Sequence, residues 1–398
     1  MSILRACDPT NPTARRSRVS ARSMTVGAVG LLIGAAAAVV PAGPAHAATW
    51  STVTTPNASQ FGNSLTGVDA RTTTDVWAVG NARHGTHPDS RPLAARWNGS
   101  TWTIVSTPAL VDYGAFTDVD ANSASNAWAV GAQEMFVNPQ LFTSVALIER
   151  WNGTSWTRLA QTLPPGASSS NLAAVKVFGD ADAWAAGHYF HSTAPNNKTL
   201  IQRWNGSTWT QVASPNPNSS FNSLTGLDGV STNDLWAVGT AGVGAQAGAL
   251  VLRWNGSAWS SVSLPAPGTG LSEVRLADVV AVSANDVWIV GEAWHSGLFN
   301  RVPYYLHWTG SGWQSGYAAN VGGIFTAVTA LSATQVYATT GSGIARWNGS
   351  TWAAESASVP GPLYDISAPG SGNVWAVGSQ FDQTLFANRT LALRTTNG

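Results

Sequence analysis

Two histidine pairs, His84-x-x-His87 and His188-x-x-His191, have the residue types and spacing of paired metal ligands. Zinc or copper would be the ion such imidazoles select. No carboxylate cluster accompanies both pairs, so the competing reading is polar residues on solvent-exposed loops. Six aspartates, Asp69, Asp118, Asp120, Asp228, Asp278 and Asp365, lie on or beside one recurring apolar motif. If that motif lines a common axis, they can bind calcium through oxygen, act as acid and base in a hydrolase or lyase, or accept hydrogen bonds there. No spacing marks two of them as catalytic partners. Trp294, Tyr189 and Phe136, with His295, His188, His191, His84 and His87, fall in the long stretches between two of the recurring motifs. Aromatic faces beside imidazole groups suit stacking on a sugar ring or anchoring a protein side chain. Taken together, these signals predict neither cofactor nor metal, with calcium and zinc as the alternatives.

The elements that position these residues follow from an internal repeat. Three motifs recur in fixed order: an apolar segment such as Leu65-Thr66-Gly67-Val68-Asp69-Ala70, then Asp75-Val76-Trp77-Ala78-Val79-Gly80, then Arg96-Trp97-Asn98-Gly99-Ser100-Thr101-Trp102. The first begins at Leu65, Phe116, Leu172, Leu224, Leu276, Phe325 and Leu363, giving seven units mostly about fifty residues apart. Each unit reads as four strands, A to D, and seven four-stranded units predict a β-propeller. Asn-Gly between strands C and D predicts a type I′ hairpin, which needs positive φ at both central residues. Nineteen of the twenty tryptophans fall in repeat slots and read as packing between blades; Trp294 alone stands outside the pattern. Arginines ending the C strands and aspartates in the A–B turns read as structural pairs.

The ends of the repeat region predict closure. The last unit stops at Arg394 with no D strand, while Thr49-Trp50-Ser51-Thr52-Val53 matches the D strands of the other units. Pairing the two closes a seven-bladed ring, all β, over residues 48–398 and removes its open edges.

The first 47 residues carry five arginines, an apolar run over 25–40 and Ala45-His46-Ala47. This is the pattern of a signal peptide cleaved after Ala47, so export and a secreted, extracellular chain are expected, without a stable membrane span after cleavage. Arg15-Arg16 leaves Sec and twin-arginine export both open. Removing that segment leaves 20 − 5 = 15 basic and 20 − 1 = 19 acidic residues, a net charge of −4. Such a chain lacks the basic footprint of a nucleic-acid binder. The lone cysteine, Cys7, lies in the leader, so the remainder has neither disulfide nor thiol chemistry and must rely on a large core.

The pairing of VWAVG with RWNGSTW resembles secreted bacterial β-propeller repeat proteins, and it resembles tectonin-type repeats, which often belong to carbohydrate-binding propellers. The units here are longer than tectonin repeats. The architecture is similar to that of galactose-oxidase-type propellers, whose copper site needs a cysteine that this mature chain lacks. Gly99-Ser100-Thr101-Trp102 resembles the tail of a sialidase Asp-box, but Trp97 stands where the aspartate belongs.

The stretches between strands B and C are long and differ among units, running roughly 81–92, 132–144, 188–199, 240–248, 292–305 and 379–390. Variable loops on a rigid scaffold are where binding concentrates. The expectation is therefore a non-catalytic, monomeric binding protein that takes an extracellular glycan or protein on its long-loop face. The alternatives are a glycan-active hydrolase or lyase using the channel aspartates, and a structural cell-surface protein.

Overall fold

The computed structural model describes residues 49–395, apart from 86–88, 111–112, 139–140, 162, 192–195, 356–358 and 371, and gives residues 135–138 and 141–142 as backbone only. The expected leader over 1–47 lies outside the described residues. Within them, 28 strands form seven four-stranded antiparallel sheets, and one short 3-10 turn, Gly244–Gln246, is the helical piece. Six of the sheets are each one sequence unit, and the seventh joins the last unit to the first strand. Blade 1 runs from inner strand A, Asn63–Thr72, through B, Asp75–Arg83, and C, Ser90–Trp97, to the outer strand D, Trp102–Ile104. Blade 7 takes its A, B and C strands from Leu363–Ser367, Trp375–Asp382 and Ala387–Thr395, and its D strand from Trp50–Val53. The register Trp50↔Thr395 to Val53↔Ala392 closes the ring by the N-terminal strand, as the sequence predicts.

Tryptophan packing holds neighbouring blades together. Trp77 of blade 1 lies 5.1 and 5.0 Å from Trp151 and Trp156 of blade 2. The same triad recurs around the ring, ending with Trp375 of blade 7 against Trp97 and Trp102 of blade 1 at 5.1 and 5.2 Å. Trp50 on the closing strand fills the D-strand slot against Tyr337 of blade 6. Every core cluster therefore spans a blade boundary, and no blade buries its apolar faces without its neighbours. The glycine of VWAVG is demanded by close approach: a Cβ on Gly80 would sit 2.1 Å from the Ser64 carbonyl oxygen.

The repeated arginines are structural. Arg96 lies over the Trp77 ring at 5.0 Å and bonds Asp75 at 2.7 Å. Arg203 and Arg253 repeat this with Trp184 and Asp182, and with Trp236 and Asp234. Where Asn126 and Asn373 replace the aspartate, Arg150 and Arg394 donate to their carboxamide oxygens instead. In blade 5, His307 takes the arginine's place, stacked on Trp288 at 3.8 Å and bonded to Asp286.

The C–D turn differs from the type I′ expectation. Gly99 has φ +101°, but Asn98 is not among the residues with positive φ. Its carboxamide oxygen accepts the N–H groups of Ser100 and Thr101 at 3.0 and 2.9 Å, closing a four-residue Asx turn. That side-chain cap lets asparagine keep an ordinary backbone.

Candidate functional site

The inner strands line the central channel, and each is a sheet edge. An edge leaves alternate N–H and C=O groups without ladder partners. Side chains of the preceding blade supply them. The Asp118 carboxylate accepts from Val175 N of blade 3 at 2.8 Å, Asp278 from Val328 N of blade 6 at 2.9 Å, and Asp365 from Val68 N of blade 1 at 2.6 Å. The second oxygen of each accepts the N–H of its own following residue. One step further along the strand, Asp69, Asp120 and Asp228 accept from Ala121, Val177 and Ala281 of the next blades. Thr66, Thr117 and Thr225 complete the pattern by donating to the facing carbonyls of Phe116, Leu172 and Leu276. The six predicted channel aspartates thus do share one axis, where they latch blade to blade. Gly67 keeps the latch close, since a Cβ there would meet the Asp118 Cα at 2.7 Å.

The two rings of carboxylates differ in charge balance. Lys176 reaches into the Asp69, Asp120 and Asp228 ring, with Nζ 2.8 Å from Asp228 and 3.7 Å from Asp120. Burial works against its charge, but those carboxylates outweigh it and hold its proton more tightly than usual. Burial also raises Asp69 and Asp120, the latter against the pull of Lys176. The ring nearer the long hairpins has no lysine. Burial lifts Asp278 to about 7, burial and the charge of Asp278 lift Asp365 to about 8, and burial and Asp365 push Asp118 well up. These three border a space of about 180 Å³ at the channel mouth.

The stretches read as long B–C loops are in most blades extensions of the strands. Strands B and C of blade 2 run on to Asn138 and from Leu141, and those of blade 5 to His295 and from Asn300. The ladder continues past the blade because both chains keep pairing there, as in Trp294↔Arg301 and His188↔Thr199.

This placement disperses the predicted binding residues over blades 1, 2, 3 and 5. Trp294 is half-buried on its strand. His295 caps a turn: its Nδ1 accepts from Gly297 and Leu298, and its ring meets Tyr317 edge-on at 5.1 Å. His188 bonds the Ser223 hydroxyl of blade 4 at 3.1 Å, and burial lowers its proton affinity. Tyr189 packs against the core between blades 2 and 3. His191 lies over Gly166 and, three residues along a strand from His188, falls on the opposite face. His84 borders a broad depression of about 510 Å³ with Asp89, Arg91 and the 107–110 turn. His87 lies outside the described residues, and Phe136 is described by its backbone alone. Among the described residues no three histidines, cysteines or carboxylates gather as metal ligands.

A different set of residues shares one face, and three of them, Phe61, Phe381 and Phe386, meet at one blade boundary. Exposed large apolar side chains collect on the long-hairpin face: Phe61, Phe190, Val243, the pair Leu298-Phe299, and Phe381 with Leu385-Phe386. Only Ile104, Val230 and Val282 are comparably exposed elsewhere among the described residues, apart from Tyr364 at the channel mouth. Blades 5 and 7 share a turn that the sequence repeat had not revealed. His295 and Asp382 each accept two turn N–H groups, and the tips, Leu298-Phe299 and Leu385-Phe386, place each phenylalanine at φ +50°. Left-handed backbone is costly for a bulky residue, about 1–2 kcal/mol. Both residues are more than 80% exposed, and Phe386 has one ring neighbour, Phe381.

Beside the blade 7 turn, a cleft of about 210 Å³ opens over the boundary with blade 1, bordered by Phe61, Phe381, Phe386, Arg83, Asn81 and Asn388. Its floor is fixed. Arg83 N donates to Gly62 O at 2.8 Å, the Ser59 hydroxyl donates to Arg83 O, and the buried Asn63 carboxamide clamps both the N–H and the C=O of Ser59.

No protein-family model matches this chain, and no curated protein matches it in sequence. Solved structures share its fold. YCF48 bound to a D1 peptide is 15% identical, with a TM-score of 0.54 over 88% of this chain and 96% of that one. A protein of unknown function from Dyadobacter fermentans is 12% identical, with a TM-score of 0.53 over 87% of this chain and 98% of that one. The WD40 propeller domain of Doa1 is 10% identical, with a TM-score of 0.53 over 88% of this chain and 98% of that one. At such identities the likeness is one of fold.

Proposed function

We propose that this chain is a secreted binding propeller whose long-hairpin face holds a segment of a protein partner outside the cell. The observation that carries this reading is the gathering of exposed phenylalanine, leucine and valine side chains on that one face. Exposed apolar groups concentrated on one side of a rigid scaffold mark interaction surfaces. Leu298 beside Phe299 and Leu385 beside Phe386 favour a protein partner, whose apolar side chains such tips can pack against. YCF48, a propeller of similar fold, holds a peptide, so such a scaffold can serve this purpose. Secretion rests on the basic and apolar leader ending at Ala47. No helix among the described residues is long and apolar enough to cross a membrane.

The hydrolase or lyase reading is less favoured. Asp118, Asp278 and Asp365 hold backbone N–H groups with both oxygens, which suits a latch better than a proton donor.

The test exposes the purified chain to a displayed library of random twelve-residue peptides and to a glycan array. Selected peptides should lose at least tenfold in affinity for a Phe299→Ser/Phe386→Ser double variant. Capture of a glycan with no peptide selected would overturn the protein reading. Mass spectrometry of the exported chain should find Ala48 at its N-terminus.

A further inference from the structure

We propose that the cleft between blades 7 and 1 is an anchor pocket for a peptide that sets an apolar side chain beside a carboxylate. This rests on the protein-partner reading above and gives it a ligand chemistry. The cleft volume, about 210 Å³, lies below the roughly 300–1,000 Å³ of sites that enclose a small molecule, and suits one anchoring side chain of a longer segment. Phe61, Phe381 and Phe386 supply its apolar border, with the last two rings edge-to-face at 6.4 Å.

The charge comes from Arg83. Arg91, Arg275 and Arg301 each carry a carboxylate partner: Asp89, Glu292, and Glu273 with Glu292. Arg83 pairs with no carboxylate among the described residues, and its stem lies along Gly62, where a Cβ would come within 3.4 Å of its Cδ. An exposed guanidinium at the rim of the cleft, its stem beside Gly62 and its donors without a carboxylate partner, can take a carboxylate in two parallel hydrogen bonds. Asn81 donates to Ser90 at 2.8 Å and keeps its carboxamide oxygen as an acceptor, while the exposed Asn388 offers a second amide. Amides beside the pocket match the main chain of an extended peptide.

The carboxylate can belong to a C-terminus or to an acidic side chain, so four fluorescein-labelled probes separate the sources. They are GSGLF with a free C-terminus, its C-terminal amide, and the amidated peptides GSGLFDGS and GSGLFNGS. Fluorescence polarisation with the purified chain should show one charged probe bound at least tenfold more tightly than its neutral counterpart. Arg83→Gln should abolish that preference, Phe386→Ser should weaken the charged and neutral probes alike, and Arg91→Gln should leave both unchanged, with near-ultraviolet dichroism confirming the fold. Equal binding of charged and neutral probes overturns the proposal. So does peptide capture that is indifferent to Arg83→Gln and Phe386→Ser, in which case the protein-partner reading stands without this cleft. If no library peptide is captured at all, both readings fall.

Discussion

The boundary between blades 7 and 1 and the boundary between blades 3 and 4 are built from nearly the same loop. Thr55-Pro56-Asn57 leads to Ser59 and Asn63 in one, and Ser214-Pro215-Asn216 leads to Asn218 and Asn222 in the other. The framework bonds match. Asn57 and Asn216 accept from Thr390 N and Thr199 N, both at 2.8 Å. Asn63 clamps Ser59, and Asn222 clamps Asn218 in the same way. What differs lies on top. In blade 3, Asn197 N bonds Ser220 O and Asn196 Nδ2 bonds Ser219 O, so the hairpin is pinned onto the loop. In blade 7 the corresponding hairpin is tied through Arg389 to Ser59 O, and Phe381 and Phe386 rise beside an open cleft. Gly242 stands where the cleft has Arg83, each donating its N–H to the loop. One framework therefore carries a hairpin pinned onto its loop at one boundary and an open cleft at the other, and the side chains bordering the cleft are those placed to meet a ligand.

If the framework is shared, damage to it should be equal at the two boundaries. Trp375→Ala and Trp184→Ala each remove the ring wedged between two tryptophans of the next blade. Each should cost about 3–5 kcal/mol, measured by urea unfolding. A difference beyond about 2 kcal/mol would break the equivalence of the two boundaries. Asn63→Ala and Asn222→Ala strip a buried carboxamide from its loop and leave an N–H and a C=O unanswered, for about 2–3 kcal/mol each. Here the pair should separate by function: Asn63→Ala alone should weaken peptide binding, because its loop floors the cleft.

The ring and its closure were legible in the sequence because repetition multiplies a weak signal. Seven copies of one slot make Trp77 and its equivalents readable as packing, and the missing D strand after Arg394 points directly at Trp50. The channel aspartates were legible as a group, but their role as latches depends on which N–H of the next blade faces each oxygen, and spacing along one chain does not encode that. Trp294, His188 and Tyr189 attract notice as rare residue types, yet a continuing ladder places them on strands and partly in the core. The cleft was missed because its residues come from three stretches, near 61, 83 and 386, that only ring closure brings together. Two signals were available: the duplicated Pro-Asn loop and the Leu-Phe tips of blades 5 and 7.

The channel separates the two boundaries by pH. Asp365 of blade 7 latches Val68 of blade 1, and burial with the charge of Asp278 lifts it to about 8. At the corresponding position blade 3 has Ala174, which cannot titrate. An unfolded aspartate releases its proton near pH 4. Between about 4 and about 8 the folded chain therefore holds the extra proton, and stability falls as pH rises through that window. Asp365→Asn keeps a carbonyl acceptor for Val68 and loses the titration, so its unfolding midpoint should fall less from pH 5 to pH 8 than that of the native chain. Parallel curves would show that the native carboxylate is already ionised at pH 5.

The smallest expected effect makes the sharpest distinction. Phe386 sits at φ +50° and is largely exposed, its ring meeting Phe381 edge-to-face, so the fold gains little from it, while the backbone bears the cost. Phe386→Gly releases that strain, since glycine adopts left-handed backbone freely, although its own flexibility in the unfolded chain offsets part of the gain. The net change should be a stabilisation of up to about 1 kcal/mol, measured by urea unfolding, together with loss of peptide binding. Phe299→Gly removes the same strain from the equivalent turn of blade 5, away from the cleft, and should match it in stability while leaving the charged probe bound. A strained residue whose removal strengthens the fold and silences one boundary is kept for its ligand. If Phe386→Gly instead destabilises the chain, the ring has a packing role, and the difference between the open and the pinned boundary is structural after all.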